Sequence, residues 1–432
     1  MKLCMIGTGY VGLVSGTCFS DLGNKVICVD IDKNKINKLN SGIIPIYEPG
    51  LDELVKKNFN QGRLKFSTDI NNSIKESDII FICVGTPTKK NSNMADLTYV
   101  YNVAKLIAKN INKYKIIVTK STVPVTTGDF IEKIIQNKNK RKKFDVVSNP
   151  EFLREGEAIR DFISPDRVIV GTNSKKANRI MKSLYLPIIK KESRFFSSSR
   201  RGAELIKYAS NAFLATKISY INELANLCEK AEVDIKDVST GMGLDQRIGE
   251  RFLRAGPAYG GSCFPKDTRA LVNTGDKYNV NLSIVKSVIK SNDNRKNLLL
   301  KKIHKIIGTN IRNKKITFLG VTFKPGTDDM REASSLKMIP YLSKNGAYIN
   351  YTDPSGSKKI LDKIKNVKFH KSVTACCKSA DLIIIHTEWN EYKQLNFKKL
   401  VINKKFKIYD LRNIYSPNKI KKDNIDYYSI GR

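Results

Sequence analysis

Residues 1–12 read Met1-Lys2-Leu3-Cys4-Met5-Ile6-Gly7-Thr8-Gly9-Tyr10-Val11-Gly12. An apolar run leads straight into a Gly-x-Gly-x-x-Gly turn, and a small-residue stretch containing Ser15, Gly16 and Cys18 follows as a helix. This strand–turn–helix order is the fingerprint of a dinucleotide fold. Gly7 permits the tight turn, Gly9 lets backbone N–H groups reach a pyrophosphate, and Gly12 lets the helix pack closely on the strand. A second strand, Lys25–Val29, ends at Asp30, whose carboxylate would accept both ribose hydroxyls and repel a 2′-phosphate. That favours NAD over NADP. Taken alone, Asp30 would read as a solvated strand-end carboxylate.

Strand and helix signals alternate outward from this turn. Ile79–Val84 reads as a buried strand ending in Gly85-Thr86-Pro87-Thr88. Ile116–Thr119 leads into Lys120-Ser121-Thr122-Val123-Pro124, and Asp145–Ser148 into Asn149-Pro150-Glu151-Phe152-Leu153-Arg154-Glu155. Ligands bind outside the carboxyl ends of strands in open parallel sheets, so these three loops are site candidates. From about Arg200 the pattern changes to one long, largely apolar helix over Gly202–Ala231. Glu204, Lys207 and Asn211 fall three and four apart on it and form one stripe. Burying an ammonium without a partner is expensive, so the alternatives are a functional stripe or a solvated one. After roughly Asn310 the alternation returns, with strands expected at Lys315–Leu319, Tyr348–Tyr351, Asp381–His386 and Lys407–Tyr409. The fold class expected is therefore α/β: two Rossmann-like, doubly wound domains joined by a central helical region with a long helix. The boundaries expected are 1–199, 200–309 and 310–432. The tail beyond Ser416 carries no readable pattern.

Composition narrows the function classes. A chain of 432 residues can bury two or three cores. No signal peptide is expected, because the first apolar run is short and enters the glycine turn, and no stretch approaches the length of a membrane span. A cytoplasmic location is the expectation. Eight cysteines are spread out with no Cys-x-x-Cys spacing, which signals neither a zinc site nor a disulfide framework. Three histidines, His304, His370 and His386, lie apart, so no metal site is expected. The formal charge of +36 is spread through runs such as Lys138–Lys143 and Lys358–Lys371. No aromatic-plus-basic motif accompanies it, so no nucleic-acid partner is expected, although a basic surface steers anionic nucleotides.

One further motif carries chemistry. In Gly260-Gly261-Ser262-Cys263-Phe264-Pro265-Lys266-Asp267 a cysteine follows two glycines and precedes a helix read over Thr268–Lys277. A thiol at a helix N-terminus beside Lys266 is biased toward the nucleophilic thiolate, and the glycines are expected to leave room for a substrate. A structural cysteine beside a turn is the plain alternative.

These motifs, Gly7–Gly12, Lys120–Pro124, Asn149–Gly156, the Lys207/Asn211 pair, Gly260–Asp267, Phe323–Glu332 and Asp410–Asn413, stand in the order of the UDP-glucose/GDP-mannose dehydrogenase family, which the chain resembles from Met1 to about Ser416. No motif position departs from the family pattern. The resemblance implies two successive NAD-dependent oxidations at C6 of a nucleotide sugar through a cysteine thiohemiacetal and thioester, ending in hydrolysis. It implies Cys263 as nucleophile, Lys207 and Asn211 stabilising the oxyanion, Asp267 and Thr122 positioning water, and Glu151 as base in hydrolysis. It places Gly7, Gly9, Tyr10, Val11, Gly12, Asp30, Lys35, Thr86, Thr122, Glu155, Lys266 and Arg331 on NAD. It places Glu151, Phe152, Leu153, Lys207, Asn211, Phe252, Gly260, Lys324 and Arg412 on the sugar nucleotide. Arg247 would arrive from a second copy of a homodimer. By the same family likeness, Ser262 and Phe264 favour UDP-glucose, with GDP-mannose and UDP-N-acetyl sugars as alternatives.

Two other readings compete. A two-electron dehydrogenase of the β-hydroxyacid type, with Lys207 as sole base, leaves Cys263 without a task. A short-chain dehydrogenase reading rests on Tyr101 and Lys105, four apart, which suit a surface helix better.

Overall fold

The computed structural model describes residues 1–89, 92, 94–139, 143–189, 194–403 and 405–432, apart from the side chain of Lys421. Residues 140–142 of the lysine run at 138–143 lie outside them. Contacts divide the chain into two compact units. One holds Met1–Ser210 with Asn273–Asn279, the other Asn211–Val272 with Val280–Arg432.

The first unit is built on β1 (Lys2–Ile6), β2 (Lys25–Val29), β3 (Leu64–Ser67), β4 (Ile79–Ile82), β5 (Lys115–Thr119), β6 (Phe144–Ser148), β7 (Val168–Gly171) and β8 (Phe195–Ser198). Their order is β3-β2-β1-β4-β5-β6-β7-β8. β1 to β6 run parallel, β6 meets β7 antiparallel at the single pair Ser148–Gly171, and β7 pairs β8 in parallel. The direction of winding reverses between β1 and β4, and the glycine turn sits there, at the end of β1. The strands read as unbroken apolar runs because both faces are covered. Leu3, Met5, Phe81 and Val118 enter one core, while Cys4, Ile6, Ile80, Ile82 and Ile117 enter the other. Each fully buried Leu, Ile or Val contributes about 1.5–3 kcal/mol.

The second unit carries β9 (Lys315–Leu319), β10 (Tyr348–Thr352), β11 (Val367–Phe369), β12 (Leu382–Ile385), β13 (Lys407–Asp410) and β14 (Asp426–Ser429). All pair in parallel, in the order β11-β10-β9-β12-β13-β14. This is the doubly wound order a second time. The long helix spans Arg200–Ala231, two residues more than read from sequence, and the division between the units falls inside it. A helix at Ser283–Ile307 supplies Leu299, Leu300 and Ile303 to the second core.

The tail, where the sequence carries no readable pattern, is structured. β14 completes the second sheet, Ile235 N donates to Gly431 O at 2.8 Å, and Arg432 pairs with Asp234 at 3.0 Å. Its strand, Asp-Tyr-Tyr-Ser, is four residues long at a sheet edge and half exposed, so it lacks an apolar run to announce it. Among the described residues no helix is long and apolar enough to cross a membrane.

Candidate active site

The glycine turn is built as its sequence requires. Gly7 adopts φ +103°, and a Cβ there would lie 2.8 Å from Cys83 O. A Cβ on Gly12 would lie 1.9 Å from Gly7 O. A Cβ on Gly9 would meet nothing within 4 Å, so the backbone there faces open space where a pyrophosphate can approach. At the end of β2, Asp30 accepts from Thr8 N (2.9 Å), Thr8 Oγ1 (2.7 Å), Asp32 N (3.1 Å) and Lys35 Nζ (3.0 Å). Burial alone would raise its carboxyl, but these donors outweigh it and hold Asp30 below the usual carboxylate range. Thr86 Oγ1 donates to Thr122 O at 2.9 Å and so ties two of the strand-end loops together. Tyr10 packs against the first core, and its hydroxyl donates to Glu48 and accepts from Gly156 N at 2.9 Å.

In the same unit, Lys207 meets Glu151 at 3.1 Å with both side chains buried. The stripe on the long helix is therefore not solvated: Glu204, Lys207 and Asn211 are all buried. Removing one partner of such a pair would strand the other charge, at a cost of about 3–5 kcal/mol. Glu151 also accepts from Leu153 N at 2.5 Å, and the Phe152 ring lies 5.0 Å from Lys207 Nζ. Behind them Lys120 is buried, with Nζ 3.3 Å from Asn149 Oδ1 and 3.2 Å from Tyr185 OH. Burial lowers this ammonium to about 8.

In the second unit, Cys263 is half-buried and immediately precedes a helix at Phe264–Lys277. That helix begins four residues before the Thr268–Lys277 run read from sequence, and Pro265, a residue suited to a first helical position, lies in its first turn. Asp267 N donates to Cys263 O at 2.8 Å. The Asp267 carboxylate is fully buried, accepts from Asn211 Nδ2 at 2.6 Å, and pairs with Lys266. Gly261 N donates to Arg331 O at 2.8 Å, and Arg412 Nη2 donates to Phe323 O at 2.6 Å. Asn292 brackets Tyr259, accepting from its N–H at 2.8 Å and donating to its carbonyl at 3.1 Å. Lys324 lies 5.7 Å from the Phe323 ring, and Phe252, at φ +69°, lies 6.1 Å from Phe264.

The space that a Cβ would take on Gly260 and Gly261 is filled by the protein itself. A Cβ would lie 2.7 Å from Glu332 O at Gly260, and 2.7 Å from the Phe323 ring at Gly261, where φ is +81°. These glycines let the 323–332 loop pack on the cysteine loop. Arg247 is exposed and holds Asp245 at 2.6 Å, and Arg331 holds Asp329 at 2.8 Å. Glu155 lies half-buried beside Gly156.

Sequence reasoning missed the supports. Buried Glu48 accepts from Gly156 N (2.6 Å) and Ala158 N (2.7 Å), fixing the loop that carries Glu151 and Glu155. Its partners lie 108 and 110 residues away, beyond any local pattern. The partners of Glu204, Lys120 and Asn292 were hidden for the same reason. His386 is fully buried, with Nε2 2.8 Å from Ser334 Oγ.

Residues 1–189, 201–294 and 317–417 match, in turn, the NAD-binding, central and UDP-binding domain models of one family. The chain belongs to the UDP-glucose/GDP-mannose dehydrogenase family. It is 47% identical to a UDP-glucose 6-dehydrogenase of Rhizobium meliloti, over 100% of both chains. It is 46% identical to one of Rickettsia felis, over 100% of this chain and 96% of the relative. The solved structure of a UDP-glucose dehydrogenase from Pyrobaculum islandicum matches with a TM-score of 0.91 at 33% identity, covering 99% of this chain and 96% of that one. The open backbone at Gly9 and the charged carboxylate at Asp30 fit the NAD that the family's first domain binds. Asp30→Asn is expected to weaken NAD about tenfold or more, as measured by calorimetric titration, with the other substrate unaffected. Equal loss for both would count against the ribose assignment.

Proposed function

We propose that the chain oxidises UDP-glucose at C6 to UDP-glucuronate, consuming two NAD and one water. The observation that carries the reading is the pair of prepared groups. Glu151 and Lys207 form a buried ion pair, and a half-buried cysteine stands at a helix start beside a buried Asn211–Asp267 bond. Two relatives named UDP-glucose 6-dehydrogenase, matched end to end, support UDP-glucose over other sugar nucleotides.

The scheme assigns one task to each group. NAD, held at the Gly7–Gly12 turn and Asp30, would supply the hydride acceptor for each oxidation at C6. Lys207 and Asn211 donate to the oxygen as it gains charge, an arrangement worth about 3–4 kcal/mol per well-placed donor. The Cys263 thiolate adds to the aldehyde and forms a thiohemiacetal, which keeps the aldehyde from escaping. Loss of the second hydride leaves a thioester. Asp267 with Thr122 orients a water, and Glu151 takes its proton as the thioester opens to the acid. Phe152, Leu153, Phe252, Gly260, Lys324 and Arg412 hold the sugar and its diphosphate. Glu155, Lys266, Arg331 and Thr86 complete the NAD contacts. In this reading 1–199 binds NAD, 200–309 carries catalysis and association, and 310–432 binds the sugar nucleotide.

A homodimer belongs to the same proposal. Phe213, Tyr220 and Leu227 are exposed and fall seven apart along the long helix, an apolar stripe suited to a second copy. Arg247, with an exposed side chain, would then reach the partner's substrate. Mixed dimers of Arg247→Ala and Cys263→Ser chains should recover part of the activity that neither homodimer shows, since one of the two sites is then intact. Absence of recovery would place Arg247 in its own subunit's site.

The deciding experiment counts NADH against UDP-glucose, GDP-mannose and UDP-N-acetyl sugars. Two NADH per UDP-glucose, with the others slow, is the expected result. One NADH per sugar would favour the two-electron reading.

A further inference from the structure

Glu204 has no part in the scheme above, yet it is buried one helical turn from Lys207. Its Oε2 accepts from Thr126 N at 2.8 Å, and its Oε1 from Gly128 N at 2.8 Å and Ser148 Oγ at 3.0 Å. Among the described residues no cation forms an ion pair with it. Burial raises its carboxyl to about 7, against the pull of those three donors. The charged and titratable groups around it are Asp129 on the helix Thr127–Lys138, Tyr101 on the helix Thr98–Asn110, and Arg200, Arg201 and Lys207 on its own helix. Arg200 and Arg201 are engaged with Asp129 at 2.9 Å and 2.7 Å.

Glu204 and Lys207 line the same small cavity of about 10 Å³, together with Thr119, Ser121 and Ser148. That volume matches about one water molecule. The hydroxyl of Thr119 is buried there without a hydrogen-bond partner. Val123 and Pro150 complete the lining, and the hydroxyl, carboxylate and ammonium side chains among these residues can supply the two to four partners that a buried water needs.

We propose that a single water resides in this cavity, joins Lys207 to Glu204, and makes Glu204 the station that receives the proton released as the C6 alcohol is oxidised. The inference rests on the reaction proposed above. The Lys207 ammonium gives one proton to the water, and the water passes one to the Glu204 carboxylate. The Lys207 amine then takes the hydroxyl proton while the hydride leaves C6 for NAD, so alcohol becomes aldehyde and the ammonium is restored. The net change is one proton moved from the hydroxyl to Glu204. It returns through the same water and Lys207 to solvent after product leaves. Glu204 acts through Lys207 and is a relay residue, not one that touches substrate.

The test uses full-length wild type, Glu204→Gln and Thr119→Val, with kcat followed from about pH 5.5 to about pH 9, melting temperature, and NADH yield per UDP-glucose. Only the ionised carboxylate accepts a proton, so wild-type kcat should fall as pH drops through about 7. Glu204→Gln should lower kcat about tenfold or more at high pH and abolish that acid limb. Thr119→Val leaves the carboxylate in place, so the limb should remain while kcat drops several-fold and the solvent isotope effect changes. It also keeps the test decisive should Glu204→Gln fail to fold. A Glu204→Gln enzyme that melts earlier but keeps the wild-type pH profile would reduce Glu204 to a tie for the Thr126–Gly128 turn. A wild-type rate and isotope effect in Thr119→Val would overturn the water. Failure of the wild type to yield two NADH would instead refute the underlying reaction.

Discussion

Cys263→Ser is expected to end uronate formation, with kcat for the acid product down by about three orders of magnitude or more. The thiol differs from every other cysteine in the chain. Cys4, Cys18, Cys28, Cys83, Cys228, Cys376 and Cys377 are all buried, and Cys263 alone is half-exposed. Burial pushes Cys18, Cys83 and Cys377 up to about 12, which keeps them as inert thiols. Cys263 instead stands at the start of the helix Phe264–Lys277, where unpaired N–H groups favour an anion. A serine hydroxyl in that place titrates far above any working pH and adds to the aldehyde only weakly. Even a hemiacetal that did form would lead to an oxygen ester, which hydrolyses more slowly than a thioester. NADH should stop at one or fewer per UDP-glucose, counted by absorbance, and a trapped intermediate would show by mass. Iodoacetamide should label one cysteine in the wild type and none in the variant. Normal yield of acid from Cys263→Ser would refute covalent capture.

The fold was legible where its causes are local. Gly7, Gly9 and Gly12 announce a turn because each does its work within a few residues, and the apolar strands on either side confirm it. The same locality let the long helix and most strands of both sheets be placed to within a residue or two. β14 escaped because half-exposed edge residues carry no apolar signature. Within the candidate site, the chemical residues were legible by type and spacing, and their supports were not. Glu48 and Glu204 act on backbone N–H groups 76 to 110 residues away, a pairing no window along the chain can hold. Gly260 and Gly261 show a subtler limit. Their composition says that something approaches the backbone closely, but only the fold says that Phe323 and Glu332 fill the side on which a Cβ would project.

Gly12→Ala and Gly9→Ala should separate the two jobs of the nucleotide turn. At Gly12 an added methyl would sit 1.9 Å from Gly7 O and 3.0 Å from Cys83 Cβ. Gly7 cannot move aside, because its φ of +103° is fixed and its N–H is bound to Val29 O at 2.8 Å. The helix Tyr10–Asp21 would have to shift instead, and its residues Gly12 to Ser20 are all buried. Overpacking of this kind costs about 1–3 kcal/mol, occasionally more, out of a total stability of about 5–15 kcal/mol. The melting temperature should fall by several degrees, and NAD binding should be lost with it. Gly9 is the opposite case. Its φ of −72° suits any residue, and no atom lies within 4 Å of the new methyl. Gly9→Ala should therefore melt like the wild type. Its methyl would stand where the pyrophosphate approaches, so NAD affinity should drop by about two orders of magnitude. Calorimetric titration and thermal melts of the two variants read both effects. A Gly9→Ala protein that melts as early as Gly12→Ala would show that the backbone there does not face open space, and one that binds NAD normally would show that the cofactor does not lie along this turn, because open backbone that tolerates a methyl at no cost in affinity is not in contact with a phosphate.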